Sequence, residues 1–285
     1  MNNTSRPGLI DLHTHTTASD GTLSPSELVR AAADVGIEYL GIADHDTTNG
    51  LAEALAEAEN VSGLIVIPGV ELSGTSTHGG PFHLLGYGID PAHVPLQAAL
   101  DSFRQDRERR VELIVQRLRQ AGIDITQGQI EANAQGGAIS RAHIGRVLME
   151  LGEVETIDQA FSLWLGRNRP AFVPRAPLFV PDALRLVHEA GGVAVLAHPL
   201  SMGDYRRQLP ELIEHGLAGI EVYYGAYDDA QRSMLAGVAS NNGLIATGGS
   251  DFHGSDLREG RELGQANVPE TVIEDLRGTL GGQWL

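Results

Sequence analysis

The stretch Asp-Leu-His-Thr-His-Thr-Thr-Ala-Ser-Asp, residues 11–20, decides the fold because it joins a short apolar segment to two histidines and a carboxylate. Side chains alternate between the two faces of a β-strand, so His13 and His15 project to the same side. Asp20 adds a carboxylate just past the end of the predicted strand. Neutral imidazole is the usual ligand for zinc, manganese and iron at neutral pH. The stretch therefore predicts a strand that ends in a metal site, if the rest of the chain supplies matching ligands.

The same arrangement recurs along the chain, where short apolar runs adjoin a histidine or a carboxylate. Four to eight apolar residues bounded by turn residues are typical of a strand buried on both faces. Polar side chains at the C-terminal ends of buried parallel strands form the active sites of barrel enzymes. The further candidate ligands are His45, Glu71, His83, His198, Asp251 and His253. We expect them to meet the first three ligands at one end of a barrel.

Several of these positions have a structural alternative. His198 could be a strand-end histidine bonded to the backbone, and Asp46 is interpreted as the cap of the next helix. Asp44 is expected to orient His45, and Asp11 to support the histidines that follow it rather than to bind a metal.

The composition limits the kind of site and of partner. With no cysteine among 285 residues, disulfides and thiolate metal sites are excluded, so nitrogen and oxygen must hold any metal. All 20 basic residues are arginine, which excludes a Schiff-base lysine, a phosphate-loop lysine and a carbamylated lysine between metals. The formal net charge of −17 argues against a broad surface for duplex nucleic acid. No apolar stretch reaches the length of a membrane span and no signal-peptide pattern is present, so we expect a cytoplasmic protein without a membrane partner.

The order of predicted elements favours an α/β barrel that is interrupted once. Strand and helix patterns alternate over residues 9–97 and 171–285, which we assign to the barrel domain. Residues 98–170 are mainly helical and begin with an amphipathic helix over 98–122. The economical interpretation is a parallel barrel with a helical insertion that forms a cap over its C-terminal face.

The insertion is rich in arginine. Residues 100–175 contain 11 arginines and 10 acidic residues, a net charge of +1, so the net negative charge of the chain lies elsewhere. Arginine binds phosphate through two parallel hydrogen bonds. One group of arginines alternates with acidic residues and is interpreted as a solvated, salt-bridged helix face. Its members are Arg104, Arg107, Arg109 and Arg110. Arg167, Arg169 and Arg175, near the end of the insertion, are weighed as substrate contacts against a structural role.

Taken in order, these motifs resemble a known family. The order is Asp-x-His-x-His at 11–15, Ala-Asp-His-Asp at 43–46, Glu71, His83, Ala-His-Pro at 197–199 and Gly-Ser-Asp-x-His at 249–253. It resembles the PHP (polymerase and histidinol phosphatase) superfamily of metal-dependent phosphoesterases. The insertion, with Ser-Arg-Ala-His at 140–143, resembles the TrpH/YciV-like subgroup, which includes nucleoside 3′,5′-bisphosphate phosphatases and 5′→3′ exoribonucleases acting on short RNA. The resemblance implies a distorted (βα)7 barrel with two or three divalent metal ions, manganese, iron or zinc.

The resemblance also implies a role for each residue. A first metal would be held by His13, His15, Glu71 and Asp251. A second would be held by Asp20, His45 and His253. A third would be held by Glu71, His83 and His198, with Glu71 bridging. Arg141 and His143 would grip the substrate phosphate with the help of Ser140, and we add Arg169 as a further contact. Catalysis would rest on Asp20, Arg141 and His143.

The expected reaction is hydrolysis of a phosphate ester of a nucleotide, above all a nucleoside 3′,5′-bisphosphate, by attack of a metal-bound hydroxide on phosphorus. Alternatives within the superfamily are a 5′→3′ exoribonuclease on short RNA and a histidinol-phosphate phosphatase. An amidohydrolase-type carbon–nitrogen hydrolase also begins with His-x-His on a barrel strand, but the lack of any lysine speaks against it. A non-enzymatic metal-binding module predicts lost ligands, whereas every expected ligand position is filled here.

Overall fold

The computed structural model describes residues 9–77, 80–254 and 261–280, and its centre is a seven-stranded sheet curled into a barrel. The strands are β1 (Leu9–Thr14), β2 (Ile37–Ile42), β3 (Ile65–Thr75), β4 (Pro81–Tyr87), β5 (Val193–Leu196), β6 (Gly219–Tyr224) and β7 (Ile245–Gly249). The helices of the barrel domain are α1 (Pro25–Asp34), α2 (Leu51–Ala58), α7 (Val180–Glu189), α8 (Tyr205–Glu214), α9 (Asp229–Asn242) and α10 (Thr271–Leu280). The helices of the insertion are α3 (Val94–Gln120), α4 (Gln127–Ala134), α5 (Arg141–Glu150) and α6 (Ile157–Ala160), the last followed by a π-helical turn over Phe161–Leu165.

The strands lie in the order of the chain, and the last returns to the first. Thr14 pairs with Phe252, just past β7. The backbone N–H of His15 donates to the carbonyl oxygen of Phe252 at 2.9 Å, and that of Asp251 donates to His13 at 2.8 Å. This closure brings the metal-type residues at the two ends of the barrel domain side by side.

One strand runs against the expected direction, so the prediction of a wholly parallel barrel was wrong. β4 is antiparallel to both β3 and β5. The connection from Thr75 to Pro81 is too short for a crossover, which needs a dozen or more residues, and only an antiparallel hairpin fits it. The reversal brings the start of β4 to the C-terminal end of its neighbours, and Ser73 faces His83. His83 therefore reaches the same end as the other ligands although it stands near the beginning of its strand.

Helix α1 begins as its sequence predicts. The side chain of Ser24 accepts a hydrogen bond from the backbone N–H of Glu27, and the Glu27 carboxylate accepts one from the backbone N–H of Ser24. Pro25 stands at the first helical position, where its missing N–H has no intrahelical partner to lose.

The outer side of the barrel wall packs against the surrounding helices. Leu72, Leu84 and Leu196 of three neighbouring strands share one buried cluster with Leu28 of α1 and Leu184 of α7. Burial of apolar side chains on this scale is the main favourable contribution to folding.

The inner side of the wall holds a second apolar cluster below the ligands. Ile67 and Leu85 belong to it, together with Leu276 of α10. Because Ile67 is four residues from Glu71, and Leu85 two residues from His83, these apolar side chains share a face with the candidate ligands. The barrel interior is thus apolar beneath a polar C-terminal end.

The insertion has a hydrophobic core of its own and lies over the C-terminal end of the barrel. Its core includes Val111, Ile144 and Val173, whereas the first turns of α3 pack into the core of the barrel. The backbone N–H of Ala138 donates to the carbonyl oxygen of Ala18 at 2.8 Å, across the boundary between the two parts. The cap position confirms the predicted fold class, and the exact boundaries at residues 98 and 170 remain predictions. Among the described residues, no helix combines the length and apolar character that a membrane crossing requires.

The close approach of β1 and β2 can be tested at Gly41. A Cβ atom at this position would lie 2.3 Å from the backbone carbonyl oxygen of Leu12, which cannot move without disturbing β1. We expect Gly41→Ala to lower the free energy of unfolding in urea by roughly 1–3 kcal/mol. Gly237 of α9 is the matched control because nothing lies within 4 Å of its added Cβ. Gly237→Ala should raise the stability by roughly 0.5–1 kcal/mol, and equal effects of the two variants would contradict this packing.

Candidate metal centre

The structure brings all the predicted metal ligands together at the C-terminal end of the barrel. Each ligand lies within a strand or in the loop that follows a strand. Those within strands are His13 of β1, Glu71 of β3 and His83 of β4. Those that follow strands are His15 and Asp20 after β1, His45 after β2, His198 after β5, and Asp251 and His253 after β7.

Glu71 is the centre of the cluster, and its side chain is fully buried. Its Oε1 lies 2.8 Å from Nδ1 of His83 and 3.0 Å from Nε2 of His198. Its Oε2 faces three more imidazoles, at 2.7 Å from Nδ1 of His45, 3.4 Å from Nε2 of His15 and 3.5 Å from Nε2 of His13. One carboxylate therefore faces five imidazole rings, an arrangement suited to bridging cations.

Asp20 is the centre of a second group. Its Oδ1 lies 3.3 Å from Nε2 of His253 and 3.9 Å from Nε2 of His45. His15 completes the group, with its ring centroid 4.1 Å from that of His253 and 4.5 Å from that of His45. Burial lowers the pKa of His15 to about 3, so its ring is neutral and free to coordinate a metal.

The ligands form three overlapping sets, and within each set the donor atoms lie within 4.8 Å of one another. The sets are His13, His15 and Glu71; His15, Asp20, His45 and His253; and His45, Glu71 and His83. The first two correspond closely to two of the sets that the family resemblance implies. In the third set His45 stands where the resemblance places His198. Because Nε2 of His198 is only 3.3 Å from Nδ1 of His83, His198 still borders this set. How the ligands divide among individual ions remains a prediction.

The unpartnered atoms of the cluster show that it fits divalent metals. Within the described residues, several buried atoms make no hydrogen bond of good geometry, although Nδ1 of His45 and Oε2 of Glu71 lie 2.7 Å apart. They are Nε2 of His13, both ring nitrogens of His15, Nδ1 of His45, Oδ1 of Asp20 and Oε2 of Glu71. Each such atom costs about 1–3 kcal/mol if it stays unpaired. Their convergence suits cations that accept imidazole and carboxylate ligands, as manganese, iron and zinc do.

His143, proposed to contact the substrate, faces this cluster from the insertion. The backbone N–H of Ser140 donates to Nδ1 of His143 at 3.0 Å, as part of the cap of α5. The neutral ring therefore carries its hydrogen on Nε2. Burial lowers the pKa of His143 to about 4, although the nearby carboxylate of Asp20 acts in the opposite direction. Near neutral pH His143 is thus a hydrogen-bond donor without charge.

The two arginines predicted to contact the substrate have different surroundings. Arg141 donates to the carbonyl oxygen of Leu165 at 3.2 Å, and its guanidinium lies over the ring of Phe161, 5.1 Å from the centroid. Arg169 is exposed in the turn that precedes Ala171. Contact of Arg141 and Arg169 with a substrate remains a prediction.

Comparison with known proteins agrees with this geometry. The PHP domain model matches residues 11–134. The 5′-3′ exoribonuclease of Haemophilus influenzae is 39% identical over 247 residues, which cover 85% of this chain and 89% of that protein. The chain belongs to the PHP family.

Two further comparisons extend over most of the PHP chain. The 3′,5′-nucleoside bisphosphate phosphatase of Chromobacterium violaceum is 36% identical over 260 residues, covering 90% of each protein. A crystal structure from Bifidobacterium adolescentis, named as a metal-dependent phosphoesterase, superposes with a TM-score of 0.85 and 31% identity, and covers 95% of this chain and 96% of that one. The protein is accordingly a metal-dependent phosphoesterase with the barrel fold of this family.

The PHP site includes a buried carboxylate that the sequence reading missed. Oε1 of Glu221 lies 3.1 Å from Nδ1 of His13, and its Oε2 accepts the backbone N–H of His198 at 2.7 Å. Glu221 thus fixes two ligand residues without facing the donor sets itself. The sequence pattern that could have revealed Glu221 is a single carboxylate between Ile220 and Val222 in an otherwise apolar strand.

Asp251 is also held by partners that the sequence did not reveal. Its Oδ2 accepts hydrogen bonds from the hydroxyl of Tyr224 at 2.7 Å and from the guanidinium of Arg261. The other oxygen of Asp251, Oδ1, faces the ligand cluster and lies 3.1 Å from Nε2 of His15. The backbone of Asp251 has φ of 55° and that of His198 has φ of 25°, and such unfavourable values cluster at functional sites.

Asp44 has a different role from the one expected. Asp44 does not orient His45, because it accepts hydrogen bonds from the backbone N–H and the hydroxyl of Thr16, at 2.8 and 2.7 Å, and from Ser19. It thereby fixes the loop that carries Asp20.

Asp11 supports the histidines that follow it, as expected, but it does so through the closure of the barrel. Its two oxygens accept the backbone N–H groups of Ser250 at 2.8 Å and of Gly264 at 2.9 Å.

Asp46 does not cap a helix but joins the barrel to the insertion. It pairs with Arg107 and, at 3.2 Å, with Arg175, and it accepts the backbone N–H of Ser73 at 3.1 Å. The side chain of Arg107 is only 13% exposed. The predicted solvated face was therefore wrong for Arg107 and for the half-buried Arg110, because alternating charges do not reveal which side of a helix is covered.

Replacement of Glu221 tests how the ligands are oriented. Glu221→Gln keeps the size of the side chain but weakens its hold on His13, so we expect metal affinity to fall about 10- to 100-fold with little loss of structure. The measurement is competition for manganese with a fluorescent chelator, combined with circular dichroism. Glu189→Gln, on the exposed face of α7, is the control and should bind metal as the wild type does. Equal affinity in all three proteins would contradict the orienting role.

Proposed function

We propose that this phosphoesterase removes one phosphate from a nucleoside 3′,5′-bisphosphate. The observation that carries the proposal is the position of the arginine-rich insertion over a cluster of metal-type ligands. The names of the relatives from Chromobacterium violaceum and Haemophilus influenzae support a nucleotide substrate. We also expect the protein to act in the cytoplasm on small molecules or short RNA, because its net charge of −17 disfavours a broad surface for duplex nucleic acid.

The ligand residues would hold two or three divalent ions, manganese, iron or zinc, in the three overlapping sets. Such ions, when bound, lower the pKa of a water molecule and neutralise the charge on a phosphate ester. Glu71 would bridge between sets, because both of its oxygens face imidazoles.

The protein's own residues would bind and orient the phosphate. His143 would donate its Nε2–H to a phosphate oxygen, and the backbone N–H of Ser140 keeps the ring in that tautomer. A neutral donor whose hydrogen bond strengthens as charge develops on oxygen favours the transition state. Arg141 would supply positive charge from the insertion, and Asp20 is a carboxylate whose charge acts on His143. Arg169, which is exposed, is a further candidate contact.

A second candidate is a 5′→3′ exoribonuclease on short RNA, which the name of the Haemophilus influenzae relative favours. Both substrates carry a phosphate beyond the one attacked. Histidinol phosphate has no such group, so we place it last.

The test compares three substrates with manganese present: adenosine 3′,5′-bisphosphate, a short 5′-phosphorylated RNA and histidinol phosphate. We expect the bisphosphate to release phosphate fastest. His13→Ala should reduce the rate by at least about 100-fold, and Arg141→Ala by roughly 10- to 100-fold, which is the range for charge-stabilising groups. Arg104→Ala is the control, because Arg104 is 53% exposed on α3 and its ion pairs among the described residues are with Asp101 and Glu108 of the same helix.

The outcomes separate the candidates. RNA degradation without turnover of the bisphosphate would move the assignment to the exoribonuclease. Absence of activity on all three substrates, in protein shown to contain metal, would contradict the proposed substrate class.

A further inference from the structure

His198 is held in a strained backbone conformation two residues after the end of β5. Its φ of 25° and ψ of 60° lie in the left-handed region, which is unfavourable for any residue except glycine. Two backbone contacts hold the residue there. Its N–H donates to Oε2 of Glu221 at 2.7 Å, and its carbonyl oxygen accepts the backbone N–H of Ser201 at 3.0 Å. The surrounding structure therefore fixes the backbone from which the His198 ring projects.

The two ring nitrogens of His198 have different partners. Nε2 lies 3.0 Å from Oε1 of Glu71 and 3.3 Å from Nδ1 of His83, within the ligand cluster. Nδ1 lies 2.6 Å from the hydroxyl oxygen of Ser201. A neutral imidazole carries one hydrogen, and only the nitrogen without it can coordinate a metal. Whether Nε2 is that nitrogen depends on the hydrogen bond that Nδ1 makes with Ser201.

The hydroxyl of Ser201 has a second partner, which decides the direction of this bond. A serine hydroxyl has one hydrogen to donate and two lone pairs that accept. Ser201 donates its hydrogen to the carbonyl oxygen of His198 at 2.9 Å. The contact between Nδ1 and the hydroxyl is then a hydrogen bond only if Nδ1 donates. The neutral ring is left with its lone pair on Nε2, where a cation shared with Glu71 would lie.

A hydroxyl also permits the opposite arrangement, which a carbonyl oxygen would not. If the hydroxyl donates to Nδ1, the ring hydrogen is on Nε2 and is donated to Glu71 instead. That tautomer satisfies the pair of His198 and Glu71 but cannot bind a metal through Nε2. His253 has no such choice, because its Nδ1 faces the backbone carbonyl oxygen of Asp251 at 2.8 Å, which only accepts. The tautomer of His198 is thus controlled by one hydroxyl group.

We propose that Ser201 is a positioning residue that selects the tautomer of His198 able to bind a metal ion through Nε2. Its hydroxyl links the ring of His198 to the carbonyl oxygen of the same residue, so the turn over Pro199–Met202 sets the position of the ring hydrogen. The group that bonds the second nitrogen of a histidine ligand commonly changes metal affinity by about 10- to 100-fold. This role of Ser201 does not depend on which phosphate ester is the substrate.

The first experiment compares Ser201→Ala, which removes the hydroxyl, with Ser201→Thr, which keeps it. A threonine hydroxyl can bond the carbonyl oxygen three residues earlier in a helical turn, as Ser201 does with His198. Ser233→Ala, at an exposed position of α9, is the control. Manganese affinity is measured by competition with a fluorescent chelator. We expect Ser201→Ala to bind manganese about 10- to 100-fold more weakly than the wild type, Ser201→Thr to recover most of that loss, and Ser233→Ala to show none.

The second experiment observes the tautomer directly and needs no substitution at Ser201. Nitrogen-15 NMR of the zinc-loaded protein, labelled at histidine, shows which ring nitrogen carries a hydrogen and which binds zinc. The signals of His198 are assigned from their loss in His198→Gln. We expect the hydrogen on Nδ1 and zinc on Nε2 in the wild type. Because the wild type is observed, this measurement decides the question even if circular dichroism shows that Ser201→Ala does not fold.

Three results would overturn the proposal. The first is a hydrogen on Nε2 of His198 in the zinc-loaded wild type. The second is an unchanged manganese affinity in folded Ser201→Ala. The third is an equal loss of affinity in Ser201→Ala and Ser201→Thr, because the hydroxyl would then not be the group that matters.

Discussion

The structure depends on a buried carboxylate, Glu71, surrounded by imidazole rings. A carboxylate with no exposure to water is stable only when opposite charge or hydrogen bonds compensate for its lost hydration. Five histidines approach Glu71, and several of their nitrogens have no other partner. The buried carboxylate needs positive charge nearby, and cations bound among the imidazoles would supply it. The folded barrel holds these polar groups together despite the free-energy cost of removing them from water.

That constraint explains how the strands end. β1 and β7 meet through hydrogen bonds between His13 and Asp251 and between His15 and Phe252, which brings the two ends of the barrel domain to one point. β4 reverses direction, so His83 reaches this point from the beginning of a strand. Glu221 orients His13 through its ring nitrogen, and Asp44 fixes the loop after β1 by accepting the backbone N–H of Thr16. The insertion adds arginines above it, where an acidic protein otherwise has little positive charge.

The sequence predicted which side chains meet at the end of the barrel, because each has a local pattern, an apolar run next to a histidine or a carboxylate. It predicted the capping box of α1 for the same reason. It failed for β4, where the shortness of the connection at 76–80 was the missed signal. It also failed for Glu221 and for the pairing of Asp46 with Arg107, because these contacts join residues far apart in the chain and depend on which helix face is covered. Local periodicity carries no information about such partners.

The most direct test of the central claim is the number of metal ions that the protein holds. Wild-type protein and Glu71→Gln would be equilibrated with manganese, freed of excess metal and measured by inductively coupled plasma mass spectrometry, with protein concentration from amino-acid analysis. We expect more than one manganese ion per chain in the wild type and a clear loss in Glu71→Gln, whose amide removes the charge that faces the imidazoles. Wild-type protein that is folded but retains no manganese, zinc or iron, or a Glu71→Gln protein with unchanged metal content, would contradict it.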